Sequence, residues 1–331
     1  MPGLLDSLTS MVTPELAGKL GKGLGMDPGL IGKGFGAIGP VVLGSLARTA
    51  SSPQGSASLL NSLPQAPGDN NWLTGIVGML SGGGTSGPAG VVEKFLGPGA
   101  SAISSTITQK LGFDVRPLMT LAIPVVTGLL AKTVKTQGTD ASGLSKMLLS
   151  ENDAFMKDPA NKETAGLVFS ALAAGDKAKA LRDSYDEAEW LKVRMGPTAA
   201  LYHIASATHP GPAGLLKEFS AASDAVSEAT REAPGVSLIG AAFGSGLQHE
   251  DFERISNDHP STEAVLADLK VGYMTVSRKN PADAQAYRNM VLGAAQRAAE
   301  ACKEGGFLGI GGTRVSDDER RALDDIRRAM S

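Results

Sequence analysis

Residues 40–49 read PVVLGSLART, and residues 124–133 read PVVTGLLAKT. The two stretches share a proline, two valines, a glycine, a leucine, an alanine, a basic residue and a threonine in the same order. Apolar residues dominate both, and the shared glycine and alanine are small enough to let a neighbouring helix approach closely. We therefore predict that each stretch belongs to a buried helix and that the two helices are related.

The likeness extends to both sides of these stretches, through a glycine and an aspartate before them and a Gln–Gly pair after them. The matching positions are Gly25 and Asp27 with Gly112 and Asp114, and Gln54–Gly55 with Gln137–Gly138. A glycine suits the left-handed position that ends a helix, and an aspartate caps the start of the next one. We predict an internal duplication in which each copy is a helix, a tight turn, a long helix, a glycine turn and a short helix. Two such units would pack as an N-terminal bundle.

The second copy carries a family resemblance. Residues 109–114, the apolar helix after them and Gln137–Gly138 resemble the YidB-like family of uncharacterised bacterial proteins. The resemblance covers about residues 1–150 and implies an all-α fold. Because members have no assigned activity, it implies no functional residue. This chain differs from plainer members through the Gly-rich insert at residues 81–87.

The composition predicts an all-α protein of two domains. Aromatic residues make up only 5% of the chain and Gly is frequent, which suits closely packed helices. Charged residues are sparse before residue 150 and dense after it, while Gly is concentrated before it. We place the boundary there, with a duplicated helical domain at 1–150 and a charged amphipathic helical domain at 151–331, joined at 157–162.

The second half contains clear signals for helix starts. Ser261 and Asn280 are expected N-caps, the latter followed by Pro281, and Ser316 with Glu319 forms a capping box before a closing helix over 317–330. The helix after Pro281 has apolar positions at helical spacing that predict a core stripe. They are Tyr287, Val291, Ala294, Ala298 and Cys302.

The end of the chain carries a second, fainter resemblance. The apolar Gly-rich loop at 305–312 and the helix after it are similar to the TerB-like helical domains of tellurite resistance, where an acidic loop precedes such a helix. Here residues 313–315 read TRV in place of acidic ligands. The resemblance therefore implies a helical domain in which no metal is expected.

Several bulk features bear on the compartment and the partners. Cys302 is the single cysteine, so no intrachain disulfide can form and a reducing cytoplasm is expected. The first residues have no basic segment and no sustained apolar run, so no secretory signal is expected. The apolar run at 117–131 is shorter than a bilayer requires, and we predict a core helix and no membrane span. Neither half is basic enough for nucleic-acid binding by charge alone.

No set of reactive residues predicts a catalytic, cofactor or metal site. His203 and His209 are on different faces of a helix, and Cys302 on its Ala-rich stripe is expected to be a buried thiol. A metal could be held only if residues 249–251 (HED) met Asp258 and His259 across a loop. The remaining features are assigned to packing, turns or solvated helix faces. These are the Gly-rich segments 32–36 and 309–312, which are not phosphate loops, and the acidic residues Asp186, Glu187, Glu189, Asp324 and Asp325.

These observations favour a non-catalytic protein–protein interaction or scaffolding module. Small residues four apart, Gly25 with Gly29 and Gly32 with Gly36, are typical of helices that self-associate. The alternative is a DNA-associated regulator that uses the helix–turn–helix-like corner at 104–121, although residues 115–120 (VRPLMT) offer a single Arg. The third hypothesis is an enzyme with an unrecognised acid/His site. Whether the Gly-rich loops at 81–90 and 305–312 bind anything is left open.

Overall fold

The computed structural model describes residues 3–63, 92, 95–233, 236–244, 246–258, 261–301 and 315–331. Every regular element in these ranges is helical, which confirms the predicted all-α class. Two are short 3-10 turns, at Gly97–Gly99 and Pro159–Asn161. The α-helices are α1 (Leu4–Met11), α2 (Pro14–Leu24), α3 (Pro28–Ala50), α4 (Pro53–Ser62), α5 (Ala100–Leu111), α6 (Arg116–Gln137), α7 (Ala141–Lys157), α8 (Lys162–Asp183), α9 (Glu187–Thr208), α10 (Pro212–Glu232), α11 (Leu238–Phe243), α12 (His249–Asp258), α13 (Thr262–Lys279), α14 (Pro281–Glu300) and α15 (Asp317–Ala329).

The chain divides into two compact units, Met1–Lys177 and Ala178–Ser331. The sequence placed the boundary near residue 150, but the helices just beyond that point still serve the first core. Leu148 of α7 and Val168 and Leu172 of α8 are buried with the apolar residues of α3 and α6. Residues 157–162 form a turn between α7 and α8 within the first unit. The rise in charge at 150 reflects the solvated outer faces of these two helices, not a change of core.

Helices α3 and α6 supply much of the core of the first unit. Both are long and apolar enough to cross a membrane by length and composition alone. However, 72% of the apolar window of α3 and 56% of that of α6 lie buried inside the protein. Core packing therefore accounts for their composition, and the predicted core helix at 117–131 lies within α6.

The turns before α3 and α6 share a left-handed glycine and an aspartate that accepts from the backbone, although Asp27 is the N-cap of α3 whereas Val115, one residue after Asp114, is the N-cap of α6. Gly25 after α2 and Gly112 after α5 both adopt the left-handed conformation, with φ of 65° and 76°. The Asp27 carboxylate accepts from Gly29 N–H at 2.8 Å, and the Asp114 carboxylate accepts from Arg116 N–H at 3.0 Å. Each long helix then contains an internal proline, Pro40 in α3 and Pro124 in α6.

The Gln–Gly pairs, by contrast, are not structurally equivalent, and this part of the predicted correspondence is wrong. Gln137 ends α6, and Gly138 follows it in the left-handed conformation with φ of 59°. Gln54 and Gly55 instead lie in the first turn of α4, where Ser52 Oγ accepts from Gly55 N–H at 3.0 Å. Only the second pair therefore forms a turn.

The core of the second unit is built around α9, which contacts α10 to α15. Four members of the predicted α14 stripe, from Tyr287 to Ala298, are fully buried, and Cys302 lies outside the described residues. Ser261 caps α13, and Ser316 with Glu319 forms the predicted capping box of α15. Asn280 occupies the expected N-cap position, but its side chain donates to Asp283 instead of accepting from the backbone.

Candidate functional site

The histidines that the sequence singled out are separated in the structure. His203 is buried in α9, whereas His209 follows the same helix at φ 50°. The backbone of His249 begins α12, and His259 lies outside the described residues, as do Cys302 and both Gly-rich loops. Within the described ranges, no group of three His, Cys, Asp or Glu side chains could hold a metal ion.

The corner at 104–121 is a packed structural turn. Arg116, the single basic residue at the start of α6, makes two hydrogen bonds through its guanidinium to Asp114, at 2.9 and 2.7 Å. Leu118 and Met119 in the first turns of α6 are fully buried. Within residues 115–120, the single cation is therefore paired with an acid, and Val115, Leu118 and Met119 are used in the core.

A cleft in the first unit has the geometry of a binding site. It lies between α3, α7 and α8 and has a volume of about 220 Å³. Gly44 of α3, the glycine of the first PVV segment, is one of the residues that line it. A Cβ added to Gly44 would lie 3.0 Å from Leu172 Cδ1, 3.2 Å from Val168 Cγ1 and 3.3 Å from Asn152 Oδ1. Glycine at this position therefore lets α8 pack close to α3, as the sequence predicts for the small residues of the segment.

Two large apolar side chains line this cleft and remain open to solvent. Phe169 of α8 is 65% exposed, and Leu149 of α7 is 41% exposed. Exposed apolar side chains scattered over a surface are common, but two that line the same cleft form a contiguous apolar patch. Such a patch is favourable to cover, because each Å² of apolar surface removed from water contributes about 25 cal/mol.

Arg48, which lines the cleft, forms an ion pair with Asp176 at its edge. Arg48 of α3 binds Asp176 of α8, with Nη1 and Oδ2 2.6 Å apart, and their side chains are 46% and 66% exposed. Next to the rim, the Ser145 hydroxyl of α7 donates to the Ala50 carbonyl at 2.6 Å and joins α7 to the end of α3. The cleft thus has mostly apolar walls, and the ion pair beside it has no net charge.

Glu151 of α7 holds the N-terminus of α1. Its carboxylate accepts from Leu5 N–H at 3.0 Å, so it satisfies a backbone donor at the start of that helix. Burial raises the pKa of Glu151, and the two backbone N–H groups of Leu4 and Leu5 oppose that rise. We assign this carboxylate to capping because its partners are backbone donors.

In the second unit, His203 of α9 faces Asp325 of α15. Its Nε2 lies 3.5 Å from Asp325 Oδ2, and its side chain is only 8% exposed. Burial lowers the pKa of His203, while Asp325 and Glu263 of α13 oppose this effect. The ring is therefore held mainly in its neutral form at an interface between helices.

Tyr185 and Trp190 form an aromatic cluster at the turn between α8 and α9. Their ring centroids are 5.6 Å apart, and Lys279 Nζ lies 5.2 Å from the Tyr185 ring centroid. Burial raises the pKa of Tyr185 to about 12, helped by the nearby Asp283 and Glu189 carboxylates. Glu189 completes a capping box with Asp186 and binds Lys279, so these acids stabilise the turn and are not merely solvated.

The sequence did not single out the residues that form the cleft walls. Gly44 fits the small-residue pattern of the PVV segment, but Leu149 and Phe169 belong to no pattern in the sequence. An apolar residue on a helix gives no indication of which face it occupies until the neighbouring helices are placed. The one feature of the sequence that could have drawn attention to the cleft is Phe169 itself, because only 5% of the residues in this chain are aromatic.

Comparison with known proteins places the first part of the chain near a bacterial family. Residues 6–133 match a sequence profile described as "Bacterial protein of unknown function (DUF937)". This agrees with the resemblance seen in the sequence, and the matched range contains both PVV segments. The TerB-like resemblance and the duplication stay predictions. No match was found among curated proteins or among solved structures.

Proposed function

We propose that this protein is a protein–protein interaction module without catalysis, and that its contact surface is the cleft between α3, α7 and α8. The observation that carries the proposal is the pair Phe169 and Leu149, which line an open cleft of about 220 Å³ while exposed to solvent. Binding sites for protein partners typically combine a central apolar anchor point with a polar rim. Arg48 and Asp176 supply that rim.

The packing around the cleft supports a preformed site. The Gly44 contacts hold α8 against α3, and the Ser145–Ala50 hydrogen bond holds α7 there. Walls fixed in this way lose little conformational entropy when a partner binds. A partner would therefore gain the apolar contact area without first ordering the site.

Crosslinking from inside the cleft tests this proposal. A photoreactive phenylalanine analogue placed at Phe169 in the native bacterial cell should give a discrete crosslinked species on illumination. The matched control is the same analogue at Leu216 of α10, which is 70% exposed but lies in the other unit. Equal crosslinking at both positions, or none at Phe169, would contradict the proposal.

We also infer a compartment and a set of absent functions. The single cysteine suits a reducing cytoplasm, and the burial of 72% of the apolar window of α3 and 56% of that of α6 supports a protein that does not span a membrane. The pairing of Arg116 with Asp114 supports a function without nucleic acid. Fractionation of the native cell, followed by detection of this chain in the soluble part, tests the first two inferences.

The internal duplication is part of the same proposal. It is supported by the left-handed glycines that precede α3 and α6, by the aspartate that follows each of them and by the internal prolines of both helices. In the first copy α8 packs on Gly44, whereas no described atom lies within 4 Å of a Cβ added to Gly128. The two copies would thus share the same order of helices and turns, but different contacts would form at the shared glycine of the long helix. Superposition of α2–α3 on α5–α6 in an experimental structure would test this.

A further inference from the structure

We propose that the occupant of the cleft is the same cleft of a second copy of this chain, so that the protein forms a two-fold symmetric dimer. The inference rests on the proposed function and names the partner that the cleft fits. A two-fold interface uses one surface patch twice, so the patch must be complementary to itself in shape and in charge. The cleft meets both conditions.

The shape condition is met because the patch has a projecting side chain and a space that can receive one. Phe169 is 65% exposed at the wall, and the cleft that it lines measures about 220 Å³. A cavity of about 150 Å³ is sufficient to bind benzene. The cleft can therefore take a phenyl ring, and each copy would insert Phe169 into the space offered by the other.

The charge condition is met by the rim. Arg48 and Asp176 are both substantially exposed, lie on adjacent helices and have opposite charges. An acidic or a basic partner would be complementary to a rim of a single sign, whereas this rim has no net charge. When two copies meet about a two-fold axis, Arg48 of each can face Asp176 of the other. The pair can thus exchange partners without leaving a charge unpaired.

The mass of the full-length chain in solution gives the first test. Light scattering and sedimentation at increasing concentration should show a dimer for the wild type and a monomer for Phe169→Asp, which places a charge in the apolar contact. The control Leu216→Asp changes an exposed leucine of the other unit and should remain dimeric. Circular dichroism of each variant should match the wild type, because both side chains are exposed. Thermal unfolding is compared at a concentration at which the wild type is monomeric, because association itself stabilises the folded state.

A charge-exchange experiment distinguishes contact between copies from the ion pair within one chain. Arg48→Glu alone makes the rim acidic and Asp176→Lys alone makes it basic, so each variant should weaken dimerisation by about tenfold or more through like-charge repulsion. Mixed together, the acidic rim of one variant meets the basic rim of the other. The mixture should then form heterodimers of wild-type affinity. An ion pair that acts only within one chain would not be restored by mixing.

Several outcomes would overturn the inference. A wild-type chain that stays monomeric up to about 100 μM would do so, because that corresponds to association weaker than about 5.5 kcal/mol. So would a dimer that Phe169→Asp does not affect, or mixed charge variants that remain monomeric. If a monomeric chain still crosslinks from Phe169 to a different protein, the dimer is wrong but the proposed function stands. If Phe169 crosslinks to nothing, both fail.

Discussion

Tyr287 fills a space that a glycine of α9 leaves open in the core of the second unit. It is fully buried, and a Cβ added to Gly196 of α9 would collide with its hydroxyl. Gly272 of α13 lets that helix approach α9, because an added Cβ would be 2.7 Å from the Lys192 carbonyl oxygen. Pro197 has no N–H, so the carbonyl four residues before it, that of Val193, loses its helical partner. The Tyr287 hydroxyl donates to that carbonyl at 2.8 Å and replaces the lost hydrogen bond.

Removing this hydroxyl should destabilise the second unit. Tyr287→Phe leaves the Val193 carbonyl buried without its donor, so we expect the free energy of unfolding to fall by about 1–3 kcal/mol. Denaturant unfolding measures this directly. The matched control is Tyr202→Phe, where the ring is only half-buried and packs against Phe252, 5.7 Å away between centroids. A loss that is the same in both variants would show that the Val193 bond has no special role.

Adding a methyl group at Gly196 should have a larger effect. Gly196→Ala forces the Tyr287 side chain or α14 to move, and we expect a loss of about 3 kcal/mol from overpacking. Gly293→Ala in α14 is the control, since no described atom lies within 4 Å of a Cβ there, and alanine should stabilise that helix by ~0.5–1 kcal/mol. Because the two substitutions share one contact, Gly196→Ala combined with Tyr287→Phe should cost less than the sum of both.

At the scale of elements, a buried histidine joins the last helix to the core. His203 of α9 lies against Asp325 of α15, and Asp325 in turn pairs with Arg328 on its own helix. The charged groups that act on the ring are Asp325 and, from α13, Glu263. Burial nevertheless lowers the pKa of His203 below its ordinary value of 6.5, so packing of α15 favours the neutral ring.

This arrangement predicts a dependence of stability on pH. The folded state binds the proton of His203 more weakly than the unfolded state does. The stability that the neutral ring contributes is therefore complete above pH 6.5 and is lost as the pH falls below that value. Between about pH 7.5 and 5.5 the wild type should lose more unfolding free energy than His203→Gln does. The matched control is His209→Asn.

The control keeps His203 in place, and Asn tolerates the left-handed conformation found at position 209, where φ is 50°. His209→Asn should therefore retain the pH dependence of the wild type. If His203→Gln retains it too, the titration of His203 does not control the docking of α15. Amide exchange in α15 at both pH values would show whether that helix opens first.

At the scale of the molecule, the two units have separate cores although α8 runs through the boundary between them. The core of the first unit combines residues from α1 to α8, and that of the second is centred on α9. Units with their own cores are expected to unfold as separate cooperative steps.

We therefore expect two transitions in calorimetric unfolding, and variants should assign them. Gly196→Ala should lower only the transition of the second unit. Gly44→Val should lower only that of the first, because its side chain would push against Leu172 and Val168. A single transition that both variants move equally would show that the chain unfolds as one cooperative body.

Signals confined to a few residues were predicted correctly from the sequence. The Ser261 cap, the Ser316–Glu319 capping box and the glycine turns at 25 and 112 all depend on contacts within four residues, so their pattern can be read directly. The Gln–Gly match failed because the same two residues can start one helix or end another, depending on how the preceding chain is packed. The boundary at 150 failed because charge reports exposure to solvent and not membership of a core.

The sequence by itself determined the helical class, several helix starts such as those at Ser261 and Ser316, and the small residues that allow close packing, since these follow from periodicity and local hydrogen bonding. Only the tertiary structure decided which side chains meet. Gly44 and Phe169 lie more than a hundred positions apart, and the cleft between them exists because α3, α7 and α8 converge. The same holds for Tyr287 and Val193, and for His203 and Asp325. Burial and long-range contact depend on how helices are arranged in space, and one helix does not encode that arrangement.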